Sequence, residues 1–275
     1  MWHRAFLIAL VVLLAVLMIF SRGYRAARRI HLPACDTGQK EDKDMMKGDA
    51  FYLPDITKDM LLGHIDPAKD DGFTLIDRSH ASRPGMYLRT RAYDAFMAMR
   101  NAALDDGISL VILSAARPFN HQRRIWENKW NGLQVLHGDI LATDIPDPLD
   151  RAREILRFSA MPGTSRHHWG TDIDLNSLQN EYFESGEGQK VYQWLQEYAA
   201  VFGFCQPYTA FGKQREEGYE EEKWHWSYRP LASEFLRTYE DMVSYDDIVG
   251  FDGYETAKKL RVIETYVSGI DPDCL

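Results

Sequence analysis

Cysteine is scarce in this chain: its 275 residues include three cysteines, and no two of them form a C-x-x-C pair. A zinc site built on cysteine ligands is therefore not expected. Cys205 follows the apolar stretch from Val201 to Phe204, and we expect it to be a buried thiol. A disulfide between Cys35 and Cys274 would need an oxidising compartment, and the sequence leaves this pairing open because spacing does not define connectivity.

Positive charge is also in short supply. The chain has 32 Lys and Arg residues against 41 Asp and Glu residues, which gives a net charge of -9, and its basic cluster lies close to the N-terminus. Since phosphate binding needs a cationic face, no nucleic-acid partner is expected. The remaining composition, with 45% hydrophobic and 27% charged residues, is typical of a globular protein.

Two common hydrolase motifs are absent from the sequence. There is no H-E-x-x-H motif, which excludes a metal site of the thermolysin type. There is no G-x-S-x-G motif, which argues against a serine hydrolase of the usual kind. A triad that combines Ser165 with a neighbouring His and Asp stays formally open, although Ser165 and His167 are closer in sequence than such triads usually allow.

The N-terminus contains a long apolar run, from Ala5 to Phe20, without a charged residue or a helix breaker. It can be interpreted as a signal anchor, a cleaved signal peptide or a buried core helix. A core helix would show a polar stripe, and Ser21-Arg22-Gly23 is a poor cleavage site, so we favour a transmembrane anchor. The predicted organisation is an anchor with its basic flank at residues 1–29, a linker at residues 30–49 and a folded domain at residues 50–275.

The folded domain mixes helical and strand patterns without a regular βαβ alternation. The predicted helices are Thr90–Leu104, Asn120–Trp130, Leu149–Phe158, Gln189–Phe202, Leu231–Val243 and Thr256–Val267. The predicted strands are Leu110–Leu113, Thr171–Leu175 and Lys223–Tyr228. This mixture predicts the α+β class, with a small mixed or antiparallel sheet flanked by helices.

Two segments concentrate the residue types that bind metals. The segment PGTSRHHWGTDIDL, from Pro162 to Leu175, contains two histidines and two aspartates, and EEKWHWSY, from Glu221 to Tyr228, contains a third histidine. A catalytic zinc needs about three protein ligands and an open position for water, so the first segment can provide two ligands and the second one. The water also needs a general base, for which Glu222 is the candidate. Each segment alone is more often structural, and the interpretation depends on their conjunction.

Three motifs, in this order, resemble one known family. They are Arg117 followed five residues later by Gln122, the pattern S-x-H-x-x-G-x-x-x-D from Ser165 to Asp174, and the pattern E-x-W-H from Glu222 to His225. The chain is similar in these motifs to the LAS-type zinc peptidases, and within them to the D-alanyl-D-alanine carboxypeptidases of the vancomycin-resistance type. The resemblance extends from Tyr52 to Tyr228.

The resemblance implies one zinc ion per chain, in a cleft on the sheet, with His167, Asp174 and His225 as its ligands. It implies that Glu222 is the catalytic base, which takes a proton from the zinc-bound water and passes it to the leaving amine. These roles fit the chemistry of the residues, because zinc lowers the pKa of its water to about 7.

The resemblance also implies three residues that handle the substrate. Arg117 matches the residue that meets the substrate carboxylate and polarises its carbonyl, and a guanidinium can grip a carboxylate with two hydrogen bonds. Ser165 and Gln122 match substrate-binding positions.

Two residues depart from the family pattern. Asp172 stands where relatives often have alanine, and it would crowd the metal with a second acid. His168 adjoins the first predicted ligand, so a shifted pair of His168 with Asp172 is available. We favour the register given above because Gly170 and Ser165 then fall at the family spacing.

The function implied by the resemblance is a zinc-dependent carboxypeptidase that hydrolyses the terminal peptide bond of peptidoglycan stem peptides, of the D-Ala-D-Ala or the L,D type. Arg117 favours an exopeptidase, because an endopeptidase has no terminal carboxylate to bind. The alternatives are a peptidoglycan endopeptidase, a non-catalytic zinc-containing module for wall binding or signalling, and a structural domain with core histidines. A module without catalysis would be expected to lose Glu222, which is present. The expected partners are stem peptides and the bacterial inner membrane, which the N-terminal helix would enter. The sequence does not define an oligomeric state.

The orientation of the predicted anchor follows from two opposing arguments. The arginines from Arg22 to Arg29 favour a cytoplasmic domain by the positive-inside rule. Wall peptides, however, lie outside the membrane, and large domains can translocate largely regardless of nearby charge. We therefore expect a single-pass anchor in the inner membrane with the peptidase domain on the periplasmic or extracytoplasmic side.

A reporter fusion tests this topology. Alkaline phosphatase, which is active only outside the cytoplasm, should be active when it is fused after Asp49. An inactive phosphatase together with an active cytoplasmic reporter at the same junction would contradict the predicted orientation. The search for substrates would then turn to muropeptides that are recycled in the cytoplasm.

Overall fold

The structure is a computed structural model, and it describes residues 55–275. The predicted membrane anchor at residues 1–29 and the predicted linker at residues 30–49 lie outside the described residues. Within residues 55–275, no helix combines the length and the hydropathy that a membrane span requires.

The strands form two small antiparallel sheets in the described part of the chain. In the first sheet, β1 (Phe73–Leu75) pairs with β2 (Tyr87–Arg89). The second sheet has the order β3-β4-β6-β5, and each of its ladders is antiparallel. Its strands are β3 (Ile112–Ser114), β4 (Asp172–Leu175), β5 (Phe204–Cys205) and β6 (His225–Tyr228). Together with the helices that flank the sheets, this arrangement confirms the predicted α+β class.

Most of the predicted helices are present, with ends displaced by a few residues. The α-helices among the described residues are α1 (Lys58–Leu62), α2 (Thr90–Asp105), α3 (Phe119–Trp130), α4 (Pro148–Leu156), α5 (Gly186–Tyr198) and α6 (Arg229–Met242). At the start of α4, the side chain of Asp147 accepts hydrogen bonds from two backbone N–H groups, and a proline occupies the first turn. This capping pattern lets the sequence define where the helix begins.

The predicted helix at Thr256–Val267 is wrong. This region contains a 3-10 turn at Tyr254–Thr256 and a π-helical turn at Ile263–Val267. Between them, Arg261 has a left-handed backbone with φ of 50°. Because a left-handed residue cannot continue a right-handed helix, the apolar spacing of this segment does not become a continuous helix.

Two glycines allow close packing around the turn Arg166–Trp169, which contains a predicted zinc ligand. Gly63 ends α1 with φ of 80°, and a Cβ at this position would lie 2.3 Å from Nδ1 of His168. Gly170 ends the turn with φ of 69°, and a Cβ there would lie 2.3 Å from the ring of Phe73. Both positions therefore need a residue without a side chain.

The buried apolar residues form two cores, and β4 separates its side chains between one core and the site. Ile173 and Leu175 belong to one core, whereas Trp169 belongs to the other. Successive side chains along a strand point to opposite faces, so Asp172 and Asp174 point away from the core that holds Ile173. The strand thus presents two carboxylates on one face while its apolar residues stabilise the other.

A disulfide joins Cys205 and Cys274, with an S–S distance of 2.07 Å. The expectation that Cys205 is a free buried thiol is therefore wrong, and Cys274 is not the partner of Cys35. The C-terminal segment returns to the end of β5, where the backbone N–H of Asp271 donates to the carbonyl of Pro207 at 2.8 Å. This return of the chain, which spacing does not encode, brings the two cysteines together.

We expect the disulfide to stabilise the fold. Replacing Cys274 with serine should lower the free energy of unfolding by about 2–4 kcal/mol, because the bridge closes a loop with a sequence separation of 69 and restricts the unfolded chain. Chemical denaturation of the wild type and of Cys274→Ser without a reductant measures this difference, and adding a reductant to the wild type should reproduce it. The matched control Cys35→Ser should leave the unfolding midpoint unchanged, and equal stability of Cys274→Ser and the wild type would contradict the expectation.

Candidate active site

Three predicted ligands meet at the junction of two strands and a turn. His167 lies in the 3-10 turn Arg166–Trp169, and Asp174 of β4 is the direct cross-strand partner of His225 at the start of β6. One ligand atom from each of the three residues lies within 4.8 Å of the other two, and all three residues are buried. This spacing allows a single metal ion to contact all three.

Hydrogen bonds on the far side of each imidazole decide which nitrogen faces the ligand cluster. Nδ1 of His167 donates to the carbonyl of Ala115 at 2.9 Å, which leaves Nε2 3.3 Å from Oδ2 of Asp174. Nε2 of His225 donates to Oδ2 of Asp172 at 2.9 Å, which leaves Nδ1 3.3 Å from Oδ1 of Asp174. A metal would therefore meet Nε2 of His167 and Nδ1 of His225, each oriented by an acceptor behind the ring.

The donor set fits a zinc ion. Oδ1 of Asp174 is buried and accepts no hydrogen bond from any residue that the structure describes, although buried carboxylate oxygens almost always have a partner. Two imidazole nitrogens and one carboxylate are the ligands that catalytic zinc sites use, with a further position left for water. The unsatisfied oxygen of Asp174 is thus explained by a metal ligand role.

Asp172 does not crowd the metal, which corrects the expectation from sequence. This fully buried carboxylate accepts hydrogen bonds from Arg166, Thr171 and Ser227 at 3.1, 2.6 and 2.8 Å, in addition to the one from His225. It therefore lies behind His225 and orients the ring. The sequence contained the residues of this network, but nothing in their spacing showed that they surround one carboxylate.

His168 is committed to a structural role. Its Nε2 accepts from the backbone N–H of Gly163 at 3.0 Å, and its Nδ1 donates to the carbonyl of Arg117 at 2.5 Å. Burial lowers the pKa of His168 to about 3, so the ring is neutral. Because both nitrogens are bonded and Asp172 is engaged elsewhere, the shifted pair of His168 with Asp172 is not available to a metal.

Glu222 lies beside the ligand cluster in the turn before β6. Its Oε2 is 3.1 Å from Nδ1 of His225, and its backbone N–H donates to the carbonyl of Tyr208 at 2.9 Å. Burial raises the pKa of Glu222, although the hydrogen bond with His225 opposes this shift. A carboxylate with a raised pKa, held beside a metal site, can accept and return a proton. The ring of Tyr208 packs against that of His225 with centroids 4.8 Å apart, a contact that the sequence did not indicate.

Arg117 projects toward the same cluster from the loop after β3. Its guanidinium donates to Oε1 of Gln122 at 2.8 Å and to Oγ of Ser114 at 2.7 Å, and it lies 3.5 Å from Oδ2 of Asp174. Gln122 is fully buried and also donates to the carbonyl of Ala160. These contacts give Gln122 a role in holding Arg117; its direct contact with a substrate stays a prediction.

A cavity of about 720 Å³ opens over these groups. Its lining includes Arg117, Glu222 and the three candidate ligands, together with Ser165, which directly precedes the turn of His167. The volume is in the range of sites that bind small molecules and short peptides. The predicted ligands, base, arginine and serine therefore share one chamber, which Gln122 supports from behind.

The charges of the ligands differ strongly before a metal binds. Burial alone would lower the pKa of His225, but hydrogen bonds to Asp172 and Glu222 and the charge of Asp174 raise it to about 10. Burial would raise the pKa of Asp174, but the neighbouring histidines and Arg117 lower it to about 2. These pKa values make His225 an imidazolium among three acids, and a metal held by Nδ1 would take the place of the proton on that nitrogen.

Comparison with known proteins assigns residues 85–231 to the family model described as VanY, D-alanyl-D-alanine carboxypeptidase, which is more than half of the chain. YodJ of Bacillus subtilis is 30% identical over 144 residues, which are 52% of this chain and 46% of YodJ. A D-alanyl-D-alanine carboxypeptidase of Enterococcus faecalis is 30% identical over 128 residues, 46% of this chain and 43% of that protein. The chain thus spans about half the length of these curated relatives.

The solved structures to which this chain is similar include VanYB in complex with D-alanine-D-alanine and the LD-carboxypeptidase LdcB. The VanYB chain is 24% identical, with a TM-score of 0.45, over 64% of this chain and 86% of that one. The LdcB chain is 22% identical, with a TM-score of 0.46, over 69% of this chain and 78% of that one.

Metal binding should release a proton from His225. At pH 6, below the range in which zinc-bound water ionises, we expect about one proton to leave for each Zn²⁺ bound, and the apparent affinity to rise about tenfold per pH unit. The reason is that the pKa of His225 is raised to about 10, so Nδ1 carries a proton at pH 6 and over the next few pH units. Calorimetry in two buffers with different ionisation enthalpies counts the protons.

The variant Asp172→Asn is the matched test of the network behind His225. It should bind zinc about 10–100-fold more weakly, the usual effect of losing a partner of a metal-binding histidine. The pKa of His225 should also fall, because His225 loses one of the acids that raise it, so the pH at which zinc binding stops releasing this proton should be lower than in the wild type. Zinc uptake by the wild type without any proton release would contradict this account of the site.

Proposed function

This chain belongs to the VanY family of D-alanyl-D-alanine carboxypeptidases, a family of zinc metallopeptidases, and we propose that it is a zinc-dependent carboxypeptidase that removes the terminal residue from peptidoglycan stem peptides. The substrate bond is of the D-Ala-D-Ala or the L,D type. The observation that carries the proposal is the convergence of a metal triad, a buried carboxylate and an arginine on one cavity. A structural domain with core histidines would not need this combination.

The proposed chemistry divides between the metal and the protein. Nε2 of His167, Asp174 and Nδ1 of His225 would hold one zinc ion, which activates water and polarises the scissile carbonyl when it is bound. Glu222 takes the proton of the attacking water and returns it to the nitrogen of the leaving residue. Burial raises the pKa of Glu222, so its carboxylate is a better proton acceptor than that of an exposed glutamate, and this supports its role as the base.

Arg117 defines the position of the substrate. Its guanidinium retains donors beyond those used by Gln122 and Ser114, and it lies at the edge of the metal cluster. In the proposed complex it binds the terminal carboxylate of the peptide and stabilises negative charge on the reacting carbonyl oxygen. This role makes the protein an exopeptidase, since an internal peptide bond presents no carboxylate to Arg117. Ser165 is proposed to contact the substrate from the cavity wall.

The proposed location is the outer side of the bacterial inner membrane. Residues 1–29 would form the anchor, residues 30–49 the tether and residues 50–275 the peptidase domain. The disulfide between Cys205 and Cys274 supports this location, because disulfides persist in oxidising compartments and are rare in the cytoplasm. Wall peptides are found on the same side of the membrane.

The substitution Glu222→Gln tests the proposed function. On stem peptides that end in D-Ala-D-Ala or in L-Lys-D-Ala, the wild type should release D-alanine. The variant should keep its zinc and lose about two to four orders of magnitude in kcat, the usual contribution of a general base. The neighbouring Glu221→Gln is the matched control and should keep both zinc and activity, because Glu221 does not line the cavity.

Metal analysis and the substrate panel separate the alternatives. His225→Ala should lose zinc and activity together, and full zinc occupancy in that variant would contradict the ligand assignment. Cleavage of internal bonds in peptides with amidated termini would identify an endopeptidase instead. Zinc binding without hydrolysis of any peptide would indicate a non-catalytic module.

A further inference from the structure

A further cation, Lys129, lines the cavity at the end of α3. Its Nζ donates to Oγ of Ser159 at 2.5 Å, and both residues line the same cavity as Arg117 and Glu222. Ser159 lies just after α4 and is itself buried. The ammonium is therefore held in place on the cavity wall by a neutral hydroxyl.

Lys129 forms no ion pair with an acidic side chain among residues 55–275. Within residues 55–275, no carboxylate lies within 4.0 Å of its Nζ, whereas Lys58, Lys190 and Lys223 each have a carboxylate at 3.6 Å or less. Burial lowers the pKa of Lys129, and the charge of Arg117 adds to this shift while that of Glu222 opposes it. Lys129 is partly buried, and withdrawing part of an ammonium from water without an ion-pair partner costs free energy. A ligand that brings its own negative charge to this wall would offset that cost.

The geometry indicates which part of a peptide brings the charge. In the proposed complex, Arg117 already binds the terminal carboxylate, and a leaving alanine has no other. A second carboxylate must therefore belong to the part of the peptide before the scissile bond. The wall of the same cavity also includes the apolar side chains of Leu136 and Phe158, which can pack against an aliphatic stem.

We propose that Lys129, positioned by Ser159, binds a second carboxylate on the acyl side of the substrate, so that the enzyme prefers stem peptides with a diamino dicarboxylic acid over those with lysine. This inference rests on the proposed carboxypeptidase function. The two side chains differ by a single carboxylate on the carbon that carries the distal amino group. Lys129 would pair with that carboxylate through a charge-assisted hydrogen bond.

The test uses three stem peptides that differ only in one residue. This residue is meso-diaminopimelate in the first peptide, meso-diaminopimelate with an amidated side-chain carboxylate in the second, and L-lysine in the third. For the wild type, kcat/KM should be about tenfold higher for the first peptide than for the other two, as expected for one hydrogen bond to a charged group. In Lys129→Met this ratio should fall to about one, mainly through KM. Ser159→Ala should reduce the ratio, and the control Lys190→Met, which changes an exposed lysine on α5, should keep it.

Each other outcome has a distinct meaning. Equal hydrolysis of all three peptides by the wild type would overturn the inference and leave the proposed function intact. A different result would be that Lys129→Met slows the hydrolysis of all three peptides equally and that amidation of the terminal carboxylate does not slow this variant further. Lys129 would then bind the terminal carboxylate, and the inference would again fail.

Binding measurements keep the inference testable without turnover. If no peptide is hydrolysed, the proposed function fails, but zinc-loaded Glu222→Gln can still be titrated with the three peptides by calorimetry. Tighter binding of the diaminopimelate peptide, lost when Lys129→Met is added, would support the role of Lys129. Equal affinities for the three peptides would overturn it.

Discussion

The pairing of β4 with β6 is the constraint on which the site depends. In this register, Asp174 lies opposite His225, and Asp172 lies opposite Ser227. Because side chains alternate between the faces of a strand, a slip of one residue would turn both carboxylates toward the apolar core and Ile173 toward the site. The burial of apolar residues on one face therefore holds the metal ligands on the other, and the free energy that stabilises the sheet also positions the chemistry.

A second layer of charge behind the ligands makes their arrangement specific. Asp172, Arg166 and His225 are all buried, and such groups are costly unless their hydrogen bonds are satisfied. Here the carboxylate of Asp172 accepts from both of them and from Ser227. A well-packed apolar cluster could stabilise the fold as well as this network does. The specific effect of the network is that His225 presents Nδ1 rather than Nε2 to the other ligands. Its role is thus to orient a ligand.

Arg117 and Lys129, which both line the cavity, are held in different ways, which suits different tasks. Arg117 is bonded to Gln122 and Ser114 and lies beside a ligand carboxylate, so its position relative to the metal cluster is rigid. Lys129 is held by the hydroxyl of Ser159, and its charge has no partner of opposite sign within the described residues. A rigid guanidinium suits the reacting end of a peptide, and a less constrained ammonium suits a group that varies between substrates.

Local patterns in the sequence were sufficient for five helices and for the three strands of the site, because helix spacing and strand alternation are short-range properties. The residues of the candidate centre were predicted from the resemblance of three motifs to a known family. Local patterns were not sufficient where the outcome depends on contacts between distant residues. The choice between the two His–Asp pairs depended on what lies behind each ring, and the pairing of Cys205 depended on how the C-terminus returns to β5. Lys129 was one lysine among others in the sequence, and only packing against Ser159 placed it in the cavity, since side-chain contacts across the fold are decided by tertiary structure.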